Sequence, residues 1–422
     1  MTKETYPRLD ETLLSFTMEN GLTVKIVPRP GFTRKLAYFV TDFGSAHTDF
    51  VLDGEEIHAP AGIAHFLEHK MFELPGRDVS AEFAAFGANV NAFTSYDMTA
   101  YYFSCTEHFA ENLRLLLEFV STPYFPEESV QRELGIIDQE IGMYADSPDS
   151  QAFETLMQKM YASHPVRVPI LGSSESLRQI TPRLLEKCHR AFYTPANMVL
   201  CVVGDVDPRQ VLSIAEQVLG KEKQEIGQKI KNWPEEMVCD PVAARLSMEV
   251  AMPMFQLGFK CEAVGTGETA IRQEIVGDLA AEALFGESSP LYLELYGKGI
   301  IDSSFGGGFE AMDGCAMLTC SGDSEEPEKV REAILQYTQT LIREGIRSED
   351  LLRMKRSALG RRIRGLDSFD STCFRVSVYF LTDFDYFRFP EVYETVTAED
   401  VREFLARTVK EDRCALSVVE PT

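Results

Sequence analysis

Residues 126–150 read PEESVQRELGIIDQEIGMYADSPDS, and residues 348–371 read SEDLLRMKRSALGRRIRGLDSFDS. Both open on acidic residues, run as helices of similar length and close on an Asp/Ser-containing turn. The acidic opening suits the positive end of a helix dipole. A second pair follows. Residues 180–206, ITPRLLEKCHRAFYTPANMVLCVVGDV, and residues 396–419, VTAEDVREFLARTVKEDRCALSVV, each give a Thr-capped helix and then an apolar strand. The chain therefore reads as two copies of one unit. The expected fold class is α+β: two homologous halves, each a mainly antiparallel sheet with helices packed on one face. The expected boundaries are 1–220 for the first half, 241–422 for the second, and a charged linker at 221–240, KEKQEIGQKIKNWPEEMVCD. Each half starts β-rich. LLSFTMENGLTVKIVPRP (13–30) has a Glu-Asn-Gly turn between alternating segments, RKLAYFVTDFGS follows as a strand, and RLSMEVAMPMFQLGFKCEA takes the same place after the linker.

The 422 residues suffice for two to four domains, and 45% of them are hydrophobic, the ordinary globular range. The formal net charge of −25 repels phosphate backbones and anionic lipid, so nucleic-acid and membrane-surface binding are excluded classes. The start, MTKETYPRLDETLLSF, lacks the apolar core of a secretory signal, and no apolar run approaches the ~18–20 residues of a membrane span. Nine scattered cysteines without a CxxC pair read as reduced thiols, which points to the cytoplasm. Cys315 and Cys320 fall in an apolar stretch expected to be a strand, not a metal site.

The chemistry concentrates in APAGIAHFLEHKMFE, residues 59–73. His65 and His69 stand at i and i+4 of a helical pattern, so both imidazoles leave one face and meet a single zinc at about 2.0–2.1 Å. Glu68 leans toward the same point, where a carboxylate accepts a proton from zinc-bound water. With 7 His and 66 acidic residues, about 0.02 chance His-x-x-acid-His matches are expected, so coincidence is a poor account. A catalytic zinc wants a third protein ligand and one open position. Residues 126–145 offer Glu133 and Glu140, two turns apart on one face. In the ungapped repeat alignment Glu133 falls on Lys355 and Glu140 on Arg362. The second copy has IRQEIVGDLAAEALFG where a motif helix belongs, with no His. One half is built for a cation and the other is not.

HFLEH, followed by Arg132-Glu133 and Glu140 at this spacing, resembles the inverted zincin motif of the pitrilysin/insulinase metallopeptidases. The two-domain type, which includes the mitochondrial processing peptidase β subunit and its bacterial processing-protease-like relatives, is the nearest in pattern. The resemblance runs over essentially the whole chain, through Gly44-Ser45, Asn91-Ala92-Phe93-Thr94-Ser95 and Ser289-Pro290-Leu291-Tyr292. It implies that His65, His69 and Glu140 bind one zinc, that Glu68 is the general base and that Glu133 supports from behind the ligands. It also implies that Asn91, Ala92, Phe93 and Thr94 lie on a sheet edge where a peptide substrate adds as a strand.

The sequence departs from the family where many catalytic relatives carry an Arg and a Tyr; the aligned positions here are Tyr296 and Asp302. Gly306-Gly307-Gly308 reads as a turn or bulge. His47, His58, His108, His164 and His189 have no partner spacing and read as surface or satisfied core residues, and Trp233 is expected to pack between the halves. The leading functional expectation is a zinc endopeptidase acting on peptides or unfolded segments. The alternative is a non-catalytic or scaffold subunit of a paired peptide-maturation complex. By analogy with two-domain relatives, the expected partner is a second copy or a related chain lacking HxxEH.

Overall fold

The computed structural model describes residues 2–422. The strands of its two main sheets are β1 (Thr2–Tyr6), β2 (Glu11–Thr17), β3 (Thr23–Pro28), β4 (Lys35–Thr41), β5 (Asn89–Thr94), β6 (Thr99–Cys105) and β7 (Met198–Gly204), then β8 (Ala244–Met248), β9 (Met254–Cys261), β10 (Gly306–Met312), β11 (Cys315–Asp323) and β12 (Cys414–Pro421). The helices used below are α1 (Ile63–Met71), α2 (Glu127–Ala145), α3 (Pro148–Met160), α4 (Gly267–Phe285), α5 (Ser348–Gly365) and α6 (Phe369–Leu381).

The first sheet runs β1-β2-β3-β7-β4-β6-β5 and the second β8-β12-β9-β11-β10. The last five strands of the first sheet therefore repeat the order of the second. In both, one strand pair is parallel, β3 with β7 and β8 with β12, and the remaining pairs are antiparallel. The duplicated α+β unit expected from the helix pairs is present as duplicated topology. Cys315 and Cys320 lie in β11, as the apolar stretch implied.

The compact units are not the contiguous halves 1–220 and 241–422. One unit comprises the described residues up to Ile141, Pro169–Lys231 and Ile363–Arg388; the other comprises Gly142–Val168, Asn232–Arg362 and Phe389–Thr422. Each half thus gives one helix to the other's sheet. In the first unit, one face of the sheet carries Val24, Ile26, Ala37, Phe39, Tyr101, Phe103, Leu200 and Val202 into a core shared with α1. The alternate residues Leu36, Tyr38, Val40, Cys201 and Val203 are also buried. Their cover is α6, which packs on β4 and β7 and brings Cys373 Sγ to 3.5 Å from the Cys201 carbonyl. KLAYFVT and MVLCVVG are near-continuous apolar runs, the pattern of strands buried on both faces. In the second unit α3 packs on β8, β9 and β12. Gly258 permits this approach: a Cβ there would stand 2.4 Å from Met160 Sδ.

The segment expected as a linker is anchored at both ends. Gln228–Lys229 pair antiparallel with residues 50–51, and Lys229 Nζ lies 2.7 Å from Asp42. Glu235 accepts from the amides of Ala162, Ser163 and His164 and from Lys260 Nζ. Trp233 stacks edge-on against His164 at 4.7 Å and faces Gly314. It touches both sequence halves, but all of these contacts lie inside the second unit.

The Gly306–Gly308 run is not a turn or bulge. It opens β10, an edge strand of the second sheet. A Cβ on Gly307 would meet Phe285 and the Thr319 carbonyl, each at 2.4 Å, so glycine is what lets the end of α4 lie against this strand.

Candidate metal centre

The helix α1 begins at Gly62, which sits at φ 90° with its Cα against the Leu171 carbonyl; a Cβ would come within 2.4 Å. Gly172, at φ 74°, makes the reciprocal approach to the Ala61 carbonyl at 2.5 Å, and Ser176 Oγ donates to the same carbonyl. Only glycine fits both positions, and together they fix where α1 starts. Ile63, Phe66, Leu67 and Met71 bury the opposite stripe of the helix, and His65 and His69 project from one face with ring centroids 4.6 Å apart.

Glu140 reaches the same point from α2. Its Oε2 lies 3.8 Å from His65 Nε2 and 3.6 Å from His69 Nε2. These three residues form a group that could hold a metal ion, with one donor atom from each within 4.8 Å of the others. Ligands held about 2.1 Å from a tetrahedral zinc stand about 3.4 Å apart, so two imidazole nitrogens and a carboxylate at these separations fit the ion. His69 and Glu140 keep 25% and 29% of their side-chain surface, so the cluster is not sealed from solvent. Glu133 does not join the cluster. It lies 3.0 Å from His69 Nδ1, behind the ring. With the carboxylate as acceptor, Nδ1 carries the proton and Nε2 presents its lone pair to the centre.

Glu68 is buried beside the histidines, and Thr94 Oγ1 donates to its Oε2 at 2.9 Å. Burial raises the Glu68 pKa above the usual carboxylate range; the Thr94 hydrogen bond and His69 pull against this and Glu140 adds to it. Burial, with neighbouring His69 adding, pushes His65 down to about 3, so its imidazole is neutral at pH 7. For His69, burial also favours the neutral form, but the Glu133 hydrogen bond and the charges of Glu68, Glu133 and Glu140 outweigh it and raise the pKa. Beneath Glu68 sit Tyr101 and Tyr193, fully enclosed and hydrogen-bonded to each other at 2.8 Å. No sequence spacing pointed to this pair.

β5 is an edge strand, paired only with β6. Asn91, Ala92 and Phe93 lie along it. Thr94 ends it with its hydroxyl turned to Glu68, so its side chain serves the carboxylate. Gly44 makes this junction possible, because a Cβ there would lie 2.5 Å from the backbone of Tyr96 and Met98 in the turn after β5. The remaining histidines stay outside the centre. His47 accepts from Gly44 N–H, His164 meets the Asp313 carbonyl, and His189 meets the Val120 carbonyl. His58 and His108 are exposed.

The second unit holds a charge-inverted counterpart. Glu274 and Asp278 stand at i and i+4 on α4, and Arg362 of α5 donates to both, at 2.5 and 2.9 Å, with its guanidinium over the Tyr393 ring. Two carboxylates replace the two histidines, and an arginine replaces Glu140. Lys355, aligned with Glu133, donates instead to the Val396 carbonyl. Tyr296 is exposed and stacked on Tyr292, and Asp302 accepts from Ser304.

The chain is thus a duplicated α+β protein with an HxxEH pair in its first copy alone. Residues 55–174 match the family described as Insulinase (Peptidase family M16), and residues 179–358 match the Peptidase M16 inactive domain. The uncharacterised zinc protease YmfH of Bacillus subtilis is 38% identical over 99% of this chain and 98% of its own. A solved M16-like peptidase structure from Alicyclobacillus acidocaldarius superposes with a TM-score of 0.93 at 34% identity, covering 98% of this chain and 99% of that one. A crystal structure of a peptidase M16 inactive domain from Pseudomonas fluorescens, at 18% identity and TM-score 0.77 over 97% of this chain and 98% of that one, shares the fold. The chain belongs to the pitrilysin/insulinase family, peptidase family M16. Among the described residues no helix is long and apolar enough to cross a membrane.

Proposed function

We propose that the chain is a zinc-dependent endopeptidase acting on peptides or unfolded segments. The observation that carries this reading is the complete donor set, His65, His69 and Glu140, beside a buried carboxylate of raised pKa. Held by those three residues, zinc would supply Lewis acidity toward a peptide carbonyl and lower the pKa of water. Glu68 would take the proton of the attacking water and pass it to the leaving amine, a role suited to a carboxylate whose pKa lies nearer neutrality. Thr94 holds that carboxylate in place, and Glu133 holds the His69 ring. The unpaired edge of β5 offers main-chain hydrogen bonds to an extended peptide alongside Asn91, Ala92 and Phe93. Association with a second copy or a related chain lacking the motif belongs to the same proposal. Its motive is the replacement of the Arg and Tyr of many catalytic relatives by Tyr296 and Asp302.

Glu68→Gln tests the assignment. It keeps shape and is not a ligand change, so zinc should stay near one per chain while the rate on a quenched peptide falls at least ~100-fold. Glu140→Gln should instead lose zinc. Glu133→Gln should keep most zinc and lose rate. Wild-type turnover by Glu68→Gln would end its role as base, and a zinc-loaded wild type inert on a peptide library would favour the scaffold reading.

A further inference from the structure

Lys70 follows the second motif histidine and is 1% exposed. A lysine is rarely so buried unless its ammonium is paired. Its Nζ donates to Glu73 Oε2 and to Ser129 Oγ, and the Ser129 hydroxyl donates to the same Glu73 oxygen. Arg132 adds a longer contact to the other oxygen at 3.6 Å. Three segments meet here: α1, which carries His65, Glu68 and His69; the residue two positions past its end; and the first turn of α2.

Ser129, Glu133 and Glu140 fall on one stripe of α2, because steps of four and eleven residues return to nearly the same azimuth at about 100° per residue. Holding Ser129 therefore fixes the rotation of α2 about its axis, and with it the direction in which Glu140 leaves the helix about 16 Å further on. Lys70 points away from the histidine face of α1. The cluster takes no part in binding the ion or moving the proton, yet it joins the helix that supplies two ligands to the helix that supplies the third.

We propose that Lys70, through Glu73 and Ser129, is a positioning residue that sets the separation of His65 and His69 from Glu140. The proposal rests on the zinc reading of the centre. Such a pin makes the ligand set preorganised, so that metal binding does not have to order two helices as well.

The test uses the full chain with Lys70→Met, Ser129→Ala and, as a control remote from both helices, Val376→Ala on α6. Each is measured for apo melting temperature, zinc affinity by chelator competition and the visible spectrum of the cobalt(II) form. Lys70→Met should bind zinc 10–100-fold more weakly and change the cobalt band, and Ser129→Ala should do the same to a smaller degree. Val376→Ala should lower the melting temperature with zinc affinity and spectrum unchanged. If Lys70→Met does not fold, Ser129→Ala decides. Wild-type zinc affinity and spectrum in the folded variants, or an equal loss of affinity in Val376→Ala, would overturn the positioning role alone. A wild-type chain that binds no zinc would overturn the metal reading and this proposal with it.

Discussion

A fragment ending at Lys231 contains every residue of the candidate centre and every strand of the first sheet, yet it should not fold. It lacks α6, which packs on β4 and β7 and whose Phe369, Cys373, Val376 and Tyr379 are 0–8% exposed. Burying a large apolar side chain contributes about 1.5–3 kcal/mol, so Phe369, Val376 and Tyr379 together account for about 5–9 kcal/mol. That sum is an upper bound, since real unfolded chains already hide part of this surface. The polar ties add little: Arg34 and Asp370, paired at 2.7 Å, are each nearly half exposed, and such pairs are worth about 0–1 kcal/mol. The whole stability of a domain is about 5–15 kcal/mol, so losing α6 removes most of it. It also uncovers Leu36, Tyr38, Val40, Cys201 and Val203, a face the isolated fragment cannot cover. The assay compares residues 1–231 alone with the same fragment co-expressed with residues 363–388. The expected result is a far-UV helical signal without cooperative melting for the fragment alone, and a cooperative transition with zinc near one equivalent for the pair. A fragment that melts cooperatively within a few degrees of the intact chain would refute the argument that the exchanged helix completes this core.

Two further outcomes follow from charges in the second unit. Burial alone would raise the Glu235 pKa, but Lys260 and the three amides of residues 162–164 hold it down to about 2. A depressed folded pKa gives stability that is present above the unfolded value and lost as pH falls through the folded one. Glu235→Gln should therefore cost about 2 kcal/mol at pH 7 in chemical denaturation, and the gap from wild type should close between about pH 4.5 and 2; a gap independent of pH would contradict this. Arg362→Ala leaves Glu274 and Asp278 without their shared cation and should destabilise by about 3 kcal/mol, less than a fully buried pair because both acids keep some exposure. Chemical denaturation at pH 8 checks this; a variant as stable as wild type would mean that Arg362 is not what holds the two carboxylates.

The two kinds of legibility differ in their physics. The duplication, the motif helix and the acidic helix were readable because each shows in local pattern: His65 and His69 at i and i+4, Thr caps at 181 and 397, and apolar runs that end where turns begin. The exchange of α3 and α6 is non-local, and nothing in either helix names the sheet it will cover. The only trace was in the receiving strands, where MVLCVVG and KLAYFVT are apolar on both faces and so require two layers of cover. Thr94 on Glu68 and the Tyr101–Tyr193 pair beneath it likewise depend on sheet register, which puts residues tens of positions apart into contact. The counterpart site in the second half was half visible. Arg362 could be aligned with Glu140, but the absence of histidine from IRQEIVGDLAAEALFG does not make that helix silent: Glu274 and Asp278 keep the i and i+4 spacing with the charge reversed. The duplicated geometry thus retains one rule in both copies. Two groups at i and i+4 of α1 or α4 face one group from α2 or α5. In the first copy those groups are His65, His69 and Glu140, the set proposed above to hold zinc. In the second, Glu274 and Asp278 hold the guanidinium of Arg362, so the link between the two helices is made by the chain's own side chains.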